Sequence, residues 1–473
     1  MENAYDLLII GAGPGGYEAA VKAAQLGMKV AVVEQRQIGG TCLNRGCIPT
    51  KTLMHAADLY QEARNFSAIG LRTSGLYYDI SEMHRRKEEV LDKQRRGIEY
   101  LFKSNKIDYI AGRATIIGEH LVRISQKRPE EERQDISQQG TQMEIQTDKI
   151  LIATGGKAFK PSLPGIDLPN VLTSDELLAT TDRVYKRLVI IGGGVIGVEF
   201  AMLYNALDCE VIIIEAMDRL LPTMDLEISQ NLTAVLKKRG AKIHTSANVT
   251  EIIAEAEKIT EKELTCLFNA KGGKEESASA DGVLVAIGRK PNTSGLLGEG
   301  MMLDMKKGAL LTNNLFQTNI KNIYAIGDVI GGLSLAHAAS AQGICAVEDM
   351  VGLKPSIDLS LIPGCVYTNP EIATVGLTME EATLKGIKAY SCKYQTLANA
   401  KSVIDQQDRG FVKLIFEEET DRIIGAHLMC GRATDLISEL TLAIATKTTR
   451  LQLASSIRPH PTYSEIITEA AKR

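Results

Sequence analysis

The feature that most constrains this chain is a glycine pattern that occurs twice, each time between two short apolar runs. Residues 5–34 read YDLLIIGAGPGGYEAAVKAAQLGMKVAVVE, in which an apolar run, a glycine turn and an Ala-rich helical pattern lead to a second apolar run ending in Glu34. Residues 187–215 read RLVIIGGGVIGVEFAMLYNALDCEVIIIE and end in Glu215, at the same distance from their first glycine. One such pattern alone carries little weight, whereas two copies with matched spacing predict two strand–turn–helix–strand units.

Each glycine of the pattern has a separate task in such a unit. Gly11 makes the tight turn, Gly13 lets the backbone approach a pyrophosphate, and Gly16 lets the helix pack closely on the strand. The same places in the second copy are taken by Gly192, Gly194 and Gly197. The helix N-terminus directs its free N–H groups at the phosphates, and the acid after the second strand accepts hydrogen bonds from ribose hydroxyls. The chain is therefore predicted to bind two dinucleotides, a tightly held flavin and an exchangeable nicotinamide.

Each unit also has a second half farther along the chain. Residues 150–156 (ILIATGG) and 283–289 (VLVAIGR) are apolar runs that end in glycine turns, and residues 323–328 (IYAIGD) end in Gly-Asp. A strand that stops there puts the carboxylate of Asp328 at the sheet edge where nucleotides bind, to hold a sugar or ribityl hydroxyl; the alternative is a solvated loop acid. At the second site Glu215 favours NAD over NADP, because an acid there repels a 2′-phosphate.

Length, charge and cysteine content narrow the class of protein. A chain of 473 residues is too long for one core and suggests roughly three domains. A formal net charge of −4 leaves no basic excess to neutralise a nucleic acid. No apolar run approaches the roughly 20 residues of a membrane span, and the first residues, MENAYDLLII, lack the basic region of a signal peptide. We therefore expect a cytoplasmic protein whose eight cysteines do not form a framework of structural disulfides.

Cys42 and Cys47 are separated by four residues in the stretch GGTCLNRGCIPTK. As a structural disulfide they would close a short loop, which contributes only about 2 kcal/mol. As a zinc half-site they would need a second pair, and none of the seven histidines has a ligand-like spacing, so no metal is expected. The remaining interpretation is a redox-active dithiol. Because the pair lies near a helix start and near Lys51, we expect both thiols to have a depressed pKa and to react as thiolates.

A proton carrier for these thiols is found in the stretch PHPTYSEIITEAAKR at residues 459–473. His460 is flanked by prolines, which restrict its backbone. Glu465 follows five residues later, where a helix could begin and return the carboxylate to the imidazole. A histidine with an orienting carboxylate is a general acid/base pair, and the alternative is a histidine with a purely structural role.

Taken together, these stretches resemble the dihydrolipoamide dehydrogenases, the E3 components of 2-oxoacid dehydrogenase complexes, within the pyridine nucleotide–disulfide oxidoreductases. The resemblance covers essentially the whole chain and rests on GAGPGG, GGTCLNRGCIPTK, ATGG, GGGVIGVE, AIGRKPNT, YAIGD, LAHAA, YTNPEIATVG and HPTYSE. Arg45 in the cysteine loop is similar to the plastid and photosynthetic-bacterial type. Arg458 departs from the pattern, because many E3 chains have a second histidine there; we expect an altered local environment around His460 with its role as base intact.

The resemblance implies FAD and NAD as cofactors and assigns residues to each. The residues implied to bind FAD are Gly11, Gly13, Gly16, Glu34, Gly40, Thr41, Lys51, Thr154, Gly155, Asp328 and Ala336. The residues implied to bind NAD are Gly192, Gly194, Gly197, Glu199, Glu215 and Gly288.

The resemblance also implies the catalytic roles. Cys42 would be the interchange thiol that meets the substrate, Cys47 would face the flavin, and Lys51 would pair with Glu199 near the flavin. The base would be His460, oriented by Glu465 and supplied by the other subunit of a homodimer.

The implied reaction oxidises protein-bound dihydrolipoamide to lipoamide and reduces NAD⁺ to NADH through FAD. The implied partners are the lipoyl domains of E2 acyltransferases or the H protein of glycine cleavage. The rival enzymes are glutathione reductase, which prefers NADPH and is disfavoured by Glu215, and mercuric reductase, whose further C-terminal cysteine pair has no counterpart in the ending EAAKR. A non-catalytic binding subunit is disfavoured because four residues of the proposed machinery are all present: Cys42, Cys47, His460 and Glu465.

The expected fold is α/β, with two Rossmann-like dinucleotide-binding domains and an α+β C-terminal dimerisation domain. The NAD-binding domain (151–285) is expected to be inserted in the FAD-binding domain (1–150 and 286–350), and the interface domain is expected at 355–473. The charged stretch SQKRPEEERQDISQQGTQ, residues 125–142, predicts a surface hairpin or mobile loop.

Overall fold

The structure of the chain is a computed structural model, which describes residues 4–126, 141–254, 263–407 and 409–473. Most of the charged stretch, residues 127–140, lies outside the described residues. The strands on either side of it, Leu121–Ser125 and Gln142–Ile152, pair in antiparallel fashion. Among the described residues, no helix is long and apolar enough to cross a membrane.

The helices and strands are numbered in chain order. Up to Ile152 the strands are β1 (Tyr5–Ile10), β2 (Val30–Glu34), β3 (Asp108–Ala111), β4 (Arg113–Gly118), β5 (Leu121–Ser125) and β6 (Gln142–Ile152). The helices of this part are α1 (Pro14–Gln25), α2 (Gly40–Arg45), α3 (Cys47–Arg64) and α4 (Ile80–Ser104).

The middle of the chain adds strands β7 (Gly156–Ala158), β8 (Val171–Thr173), β9 (Arg187–Ile191), β10 (Glu210–Glu215), β11 (Lys242–Thr245), β12 (Asn248–Ala254), β13 (Leu264–Asn269), β14 (Glu275–Ala280), β15 (Gly282–Val285) and β16 (Arg289–Pro291). Its helices are α5 (Ser174–Ala179), α6 (Val195–Ala206) and α7 (Leu226–Lys238). Next come β17 (Met305–Lys306), β18 (Ala309–Leu310), β19 (Ile323–Ala325) and α8 (Ala336–Met350).

The last part of the chain contains strands β20 (Gly364–Val366), β21 (Glu371–Gly376), β22 (Ala389–Gln395), β23 (Phe411–Glu417) and β24 (Ile423–Cys430). Its helices are α9 (Met379–Leu384), α10 (Ala400–Ile404), α11 (Ala433–Ala445), α12 (Arg450–Ser455) and α13 (Glu465–Ala471).

The first sheet has a parallel core in the order β3-β2-β1-β6, with β19 parallel to β6. Leu7, Leu8 and Ile9 of β1 are fully buried, as expected for a parallel strand that is covered on both faces. In register, Ile10 of β1 lies beside Val33 of β2 and Ile152 of β6. The strands therefore end at one edge, which is where ligands of such sheets bind.

The second sheet is parallel throughout, in the order β11-β10-β9-β15-β8. It is built from a segment that lies between β6 and β19 of the first sheet, so the second unit is inserted in the first, as expected. A two-stranded ribbon of β7 and β16 carries the chain into and out of this insertion.

The last sheet is antiparallel, in the order β20-β21-β24-β23-β22. Helices α11 and α13 cover its buried face, where Leu414, Leu428, Ile437 and Ile466 belong to one apolar cluster. The chain thus has the expected α/β fold with two Rossmann-like units and an α+β C-terminal unit.

Candidate active site

The two glycine turns have almost the same local structure. Gly11 has φ +108° and Gly192 has φ +109°, in the region that favours glycine. A Cβ atom on Gly16 would lie 1.9 Å from the carbonyl oxygen of Gly11, and a Cβ atom on Gly197 would lie 1.9 Å from that of Gly192. In both units the helix therefore packs so closely on the turn that only glycine fits at its third position.

The helices that follow these turns begin without a cap. Gly13 precedes α1 and Gly194 precedes α6, and neither helix start has a side-chain cap or an acid in its first turn. A Cβ atom on Gly194 would meet no atom within 4 Å, and one on Gly13 would meet only the Cα atom of Gly40, at 3.9 Å. A helix start with no side-chain cap, no acid and room beside its glycine fits the phosphates of a dinucleotide.

The two acids at the strand ends are held alike. Glu34 is buried and accepts hydrogen bonds from the backbone N–H groups of Ala12 (2.9 Å) and Arg36 (2.8 Å). Glu215 is buried and accepts from the backbone N–H groups of Gly193 and Met217. Each carboxylate is thus fixed against its own glycine turn and keeps lone pairs for ribose hydroxyls.

Further predicted residues follow the ends of β6 and β19 at the edge of the first sheet. The Thr154 hydroxyl donates to the carbonyl oxygen of Asn292 (2.8 Å), and the carbonyl of Gly155 accepts from the N–H of Asn292 (2.9 Å). Asp328 lies at the same edge, and burial raises the pKa of its carboxyl group. Ala336 begins α8 farther along the chain.

The cysteine loop lies directly beside the first glycine turn. Gly40 has φ +60°, and a Cβ atom there would lie 2.6 Å from the Cα atom of Gly13. The loop forms α2, which carries Cys42, and then α3, of which Cys47 is the first residue. The dithiol is therefore next to the first dinucleotide site. At the second site, Gly288 follows β15 and its backbone has φ +126°.

The two thiols are free, and they differ in acidity. A hydrogen bond from the Cys42 thiol lowers the pKa of Cys47 to about 7, with help from the Lys51 ammonium and against the effect of burial. The pKa of Cys42 is raised, first by its hydrogen bond to Cys47 and then by burial. The expectation of two depressed pKa values is therefore wrong for Cys42, because its proton is held by the neighbouring sulfur.

Lys51 is one helical turn after Cys47 on α3, so the two side chains share a face. Its Nζ atom is 2.7 Å from Glu199 Oε2, and the side chains are 29% and 6% exposed. The other oxygen of Glu199 accepts the backbone N–H of Tyr367 (3.0 Å), and the Tyr367 ring centroid is 4.6 Å from Lys51 Nζ. The expected Lys51–Glu199 pair is present, and it joins the two nucleotide units to the C-terminal unit.

His460 and Glu465 lie in the C-terminal unit. The Nδ1 atom of His460 is 2.9 Å from Glu465 Oε1, and Glu465 Oε2 accepts the backbone N–H of Thr462 (2.8 Å). Both hydrogen bonds lower the pKa of Glu465, and the one from Thr462 has the larger effect. The imidazole is held by a carboxylate on one side and is 73% exposed, so its other nitrogen is open to a reacting group.

Comparison with known families agrees with this geometry. Residues 5–343 match the family described as pyridine nucleotide-disulphide oxidoreductase, and residues 362–471 match the dimerisation domain of that family. The chain belongs to the pyridine nucleotide-disulphide oxidoreductases. Members of this family use FAD and NAD, and the two open helix starts with their buried acids fit two such dinucleotides.

Individual relatives of this oxidoreductase match over almost its full length. It is 39% identical to the dihydrolipoyl dehydrogenase of Bacillus subtilis, over 100% of this chain and 98% of the relative. It is 38% identical to the mitochondrial dihydrolipoyl dehydrogenase of Pisum sativum, over 98% of this chain and 90% of the relative. Among solved structures, LpdA from Mycobacterium tuberculosis superposes with a TM-score of 0.86 at 27% identity, over 98% of this chain and 99% of that one.

Sequence reasoning missed some residues of the oxidoreductase site. Tyr367, in the stretch YTNPEIATVG, lies beside Lys51 and Glu199, a contact that its sequence position does not indicate. Arg289, in AIGRKPNT, lies with its Nε atom 3.4 Å from Asp328 Oδ2 and its Nη1 atom 3.7 Å from Asp175 Oδ1. The motifs that contain Tyr367 and Arg289 indicate that these stretches belong to the site, but only the folded chain shows which side chains the two residues contact.

Proposed function

We propose that the chain is a dihydrolipoyl dehydrogenase, which oxidises protein-bound dihydrolipoamide and reduces NAD⁺. The observation that carries the proposal is the cysteine pair placed beside the first glycine turn, in a chain that matches a dihydrolipoyl dehydrogenase over its full length. The hydrogen bond from Cys42, with help from Lys51, lowers the pKa of Cys47, whereas the pKa of Cys42 is raised. Cys47 is thus suited to leave as a thiolate and to remain an anion beside the cofactor, and Cys42 is left to form the mixed disulfide with a substrate sulfur.

In the proposed reaction the oxidised enzyme has a disulfide between Cys42 and Cys47. His460 takes the proton of one dihydrolipoyl thiol, and that sulfur attacks Cys42, so that Cys47 leaves as a thiolate with the electron pair of the broken bond. The second substrate sulfur then attacks the first and displaces Cys42. Of the two substrate protons, one ends on Cys42 and the other leaves through His460.

FAD, when bound, would supply the two-electron chemistry that links the reduced Cys42–Cys47 pair to NAD⁺. The proposed FAD ligands are the first glycine turn, Glu34, Gly40, Thr41, Thr154, Gly155, Asp328 and Ala336. The proposed NAD ligands are the second glycine turn, Glu215 and Gly288. The Lys51–Glu199 pair holds its cation beside Cys47 and stabilises the thiolate.

The proposal includes a homodimer in which His460 serves the cysteine pair of the other subunit. Within one chain, the helix of Glu465 packs mainly against α12, β22 and β23, whereas the cysteine helix α2 packs against α3, α4 and α5. The C-terminal unit also exposes Leu442, Leu451 and Ile457, side chains that a second subunit can bury. The base would therefore be His460 of the partner subunit.

We further propose that the protein partners are lipoyl domains of E2 acyltransferases or the H protein of glycine cleavage, and that the enzyme is cytoplasmic. The six cysteines outside the reactive pair form no disulfide in the structure, which supports a reducing compartment. The proposed domains are 1–150 with 286–350 for FAD, 151–285 for NAD and 355–473 for the interface.

The test compares two substrate pairs on the purified, FAD-containing protein. Dihydrolipoamide with NAD⁺ should turn over, and the reverse reaction should use lipoamide with NADH. Faster turnover of oxidised glutathione with NADPH than of lipoamide with NADH would refute the proposal and favour a glutathione-reductase-like enzyme. The variant Cys42→Ser should lose turnover with dihydrolipoamide while keeping FAD bound, because it removes the proposed interchange thiol and leaves the dinucleotide turns intact.

A further inference from the structure

Arg45 lies between the two cysteines in sequence, yet its side chain is directed elsewhere. It is the last residue of α2, and its Nη1 atom donates to Gln37 Oε1 (2.6 Å). Its Nε atom is 3.9 Å from Asp175 Oδ2, on α5 of the inserted unit. The cysteine helix therefore has an ionic contact with the nucleotide unit that it does not belong to.

Asp175 is shared by two arginines from different parts of the fold. While Oδ2 faces Arg45, Oδ1 is 3.7 Å from Nη1 of Arg289, a residue of the β7–β16 ribbon through which the chain enters and leaves the inserted unit. Arg45 Nε and Asp175 Oδ1 are both buried and have no hydrogen-bond partner among the described residues. The guanidinium of Arg45 and the carboxylate of Asp175 are thus close enough to attract each other, although no direct hydrogen bond joins them.

Arg289 continues the series toward the first dinucleotide site. Its Nε atom is 3.4 Å from Asp328 Oδ2, and its Nη2 atom is 3.5 Å from the hydroxyl of Thr41, the residue before Cys42. Positive and negative groups therefore alternate along Arg45, Asp175, Arg289 and Asp328. The series begins on the cysteine helix and returns to the residue next to its reactive thiol.

We propose that Arg45 and Asp175 are positioning residues, which together fix the place of Arg289 and thereby of Thr41 and Asp328. The inference deepens the proposed function and rests on it. Without the cation of Arg45, Asp175 is left with one arginine and draws Arg289 away from Asp328, because two carboxylates at these distances compete for the same guanidinium. Thr41 and the cysteine helix α2 then lose their alignment with the first dinucleotide site. The second glycine turn, which is proposed to bind NAD, keeps its structure.

The test uses the FAD-containing enzyme and the variants Arg45→Gln and Asp175→Asn. The matched control is Arg95→Gln, because Arg95 is also 21% exposed and also contacts α2, through Asn44 Oδ1 (2.8 Å), but has no contact with Asp175 among the described residues. Arg45→Gln should lower kcat about 5- to 30-fold, with the KM for NAD⁺ changed less than about twofold and the melting temperature within about 3 °C. Arg45→Lys should restore much of kcat, and Arg95→Gln should match the parent enzyme.

A second measurement does not depend on the lipoyl substrate. The rate at which NADH reduces the Cys42–Cys47 pair, followed by counting titratable thiols, should fall in Arg45→Gln by the same factor as kcat. The double variant Arg45→Gln/Asp175→Asn should have a kcat no lower than that of Asp175→Asn alone, because both replacements interrupt the same series of ionic contacts. Additive losses, a rise in KM alone, or an equal loss in Arg95→Gln would overturn the inference. If the parent enzyme reduces its thiols with NADH but does not use lipoamide, the proposed substrate is wrong and the inference is still tested by the thiol rate.

Discussion

The replacement of Lys51 by methionine should raise the pKa of Cys47. Lys51 is four residues after Cys47 on one helix, a spacing that puts the two side chains about 6 Å apart. At an effective dielectric constant of about 20, unit charges at that separation interact by about 2.8 kcal/mol, which is about two pH units in the midpoint of a titration. The pKa of Cys47, about 7 in the parent, should therefore move to about 9.

The consequence is a loss of thiolate near neutral pH. At pH 7.5 a thiol with a pKa of about 7 is roughly 75% ionised, and one with a pKa of about 9 is roughly 3% ionised, a change of about 25-fold. The assay is the rate at which iodoacetamide alkylates Cys47 in the reduced enzyme, measured by mass spectrometry between pH 5 and 10. The background variant Cys42→Ser removes the competing thiol and keeps a hydroxyl that can donate to Cys47.

The chain offers a matched control for this experiment. Lys22 and Glu348 pair at 2.9 Å with side-chain exposures of 28% and 5%, nearly the same as the Lys51–Glu199 pair. Lys22→Met likewise leaves a buried glutamate without its lysine, but no thiol of the reactive pair is its neighbour on the helix. An unchanged alkylation midpoint in Lys51→Met, or an equal change in Lys22→Met, would refute the contribution of Lys51 to the ionisation of Cys47.

Other replacements test the base, the turns and a buried acid. His460→Ala should lower kcat about 10²- to 10⁴-fold with little change in melting temperature, because the side chain is largely exposed; a comparable loss of stability would indicate a structural role. Gly194→Ala should raise the KM for NAD⁺ without unfolding the chain, because a Cβ atom on Gly194 meets no protein atom. Gly197→Ala should destabilise the chain by about 1–3 kcal/mol, because a Cβ atom there meets the backbone of Gly192. Enzyme kinetics measures the first effect, and denaturant titration measures the second. Burial raises the pKa of Asp58 to about 6, so its ionisation lowers the stability of the fold as the pH rises from about 4, the usual pKa of an aspartate, to about 6, and the full loss persists above that pH. Asp58→Asn should raise the melting temperature at pH 8 and leave it nearly unchanged at about pH 3, and the reverse order would show that the charge of Arg239 outweighs burial.

The sequence predicted the backbone structure correctly where that structure depends only on neighbouring residues. The turn at Gly11 and the close packing at Gly16 depend on backbone sterics within a few residues, and both recur in the second unit. The prediction failed for the acidity of Cys42, because a pKa depends on which neighbouring group donates a hydrogen bond and on how much water is excluded. Neither quantity can be read from the spacing of two cysteines.

The sequence by itself determined that this chain builds two dinucleotide-binding units with a dithiol beside the first, since repeated glycines and terminal acids require nothing beyond their own strand–turn–helix segment. Only the tertiary structure decided what surrounds the dithiol. Lys51 and Glu199 are 148 residues apart in sequence, and Tyr367 joins them from a third part of the chain. Ionic contacts of this kind depend on distances of a few ångströms between distant segments, so the folded chain, rather than any local pattern, settles which thiol becomes the anion.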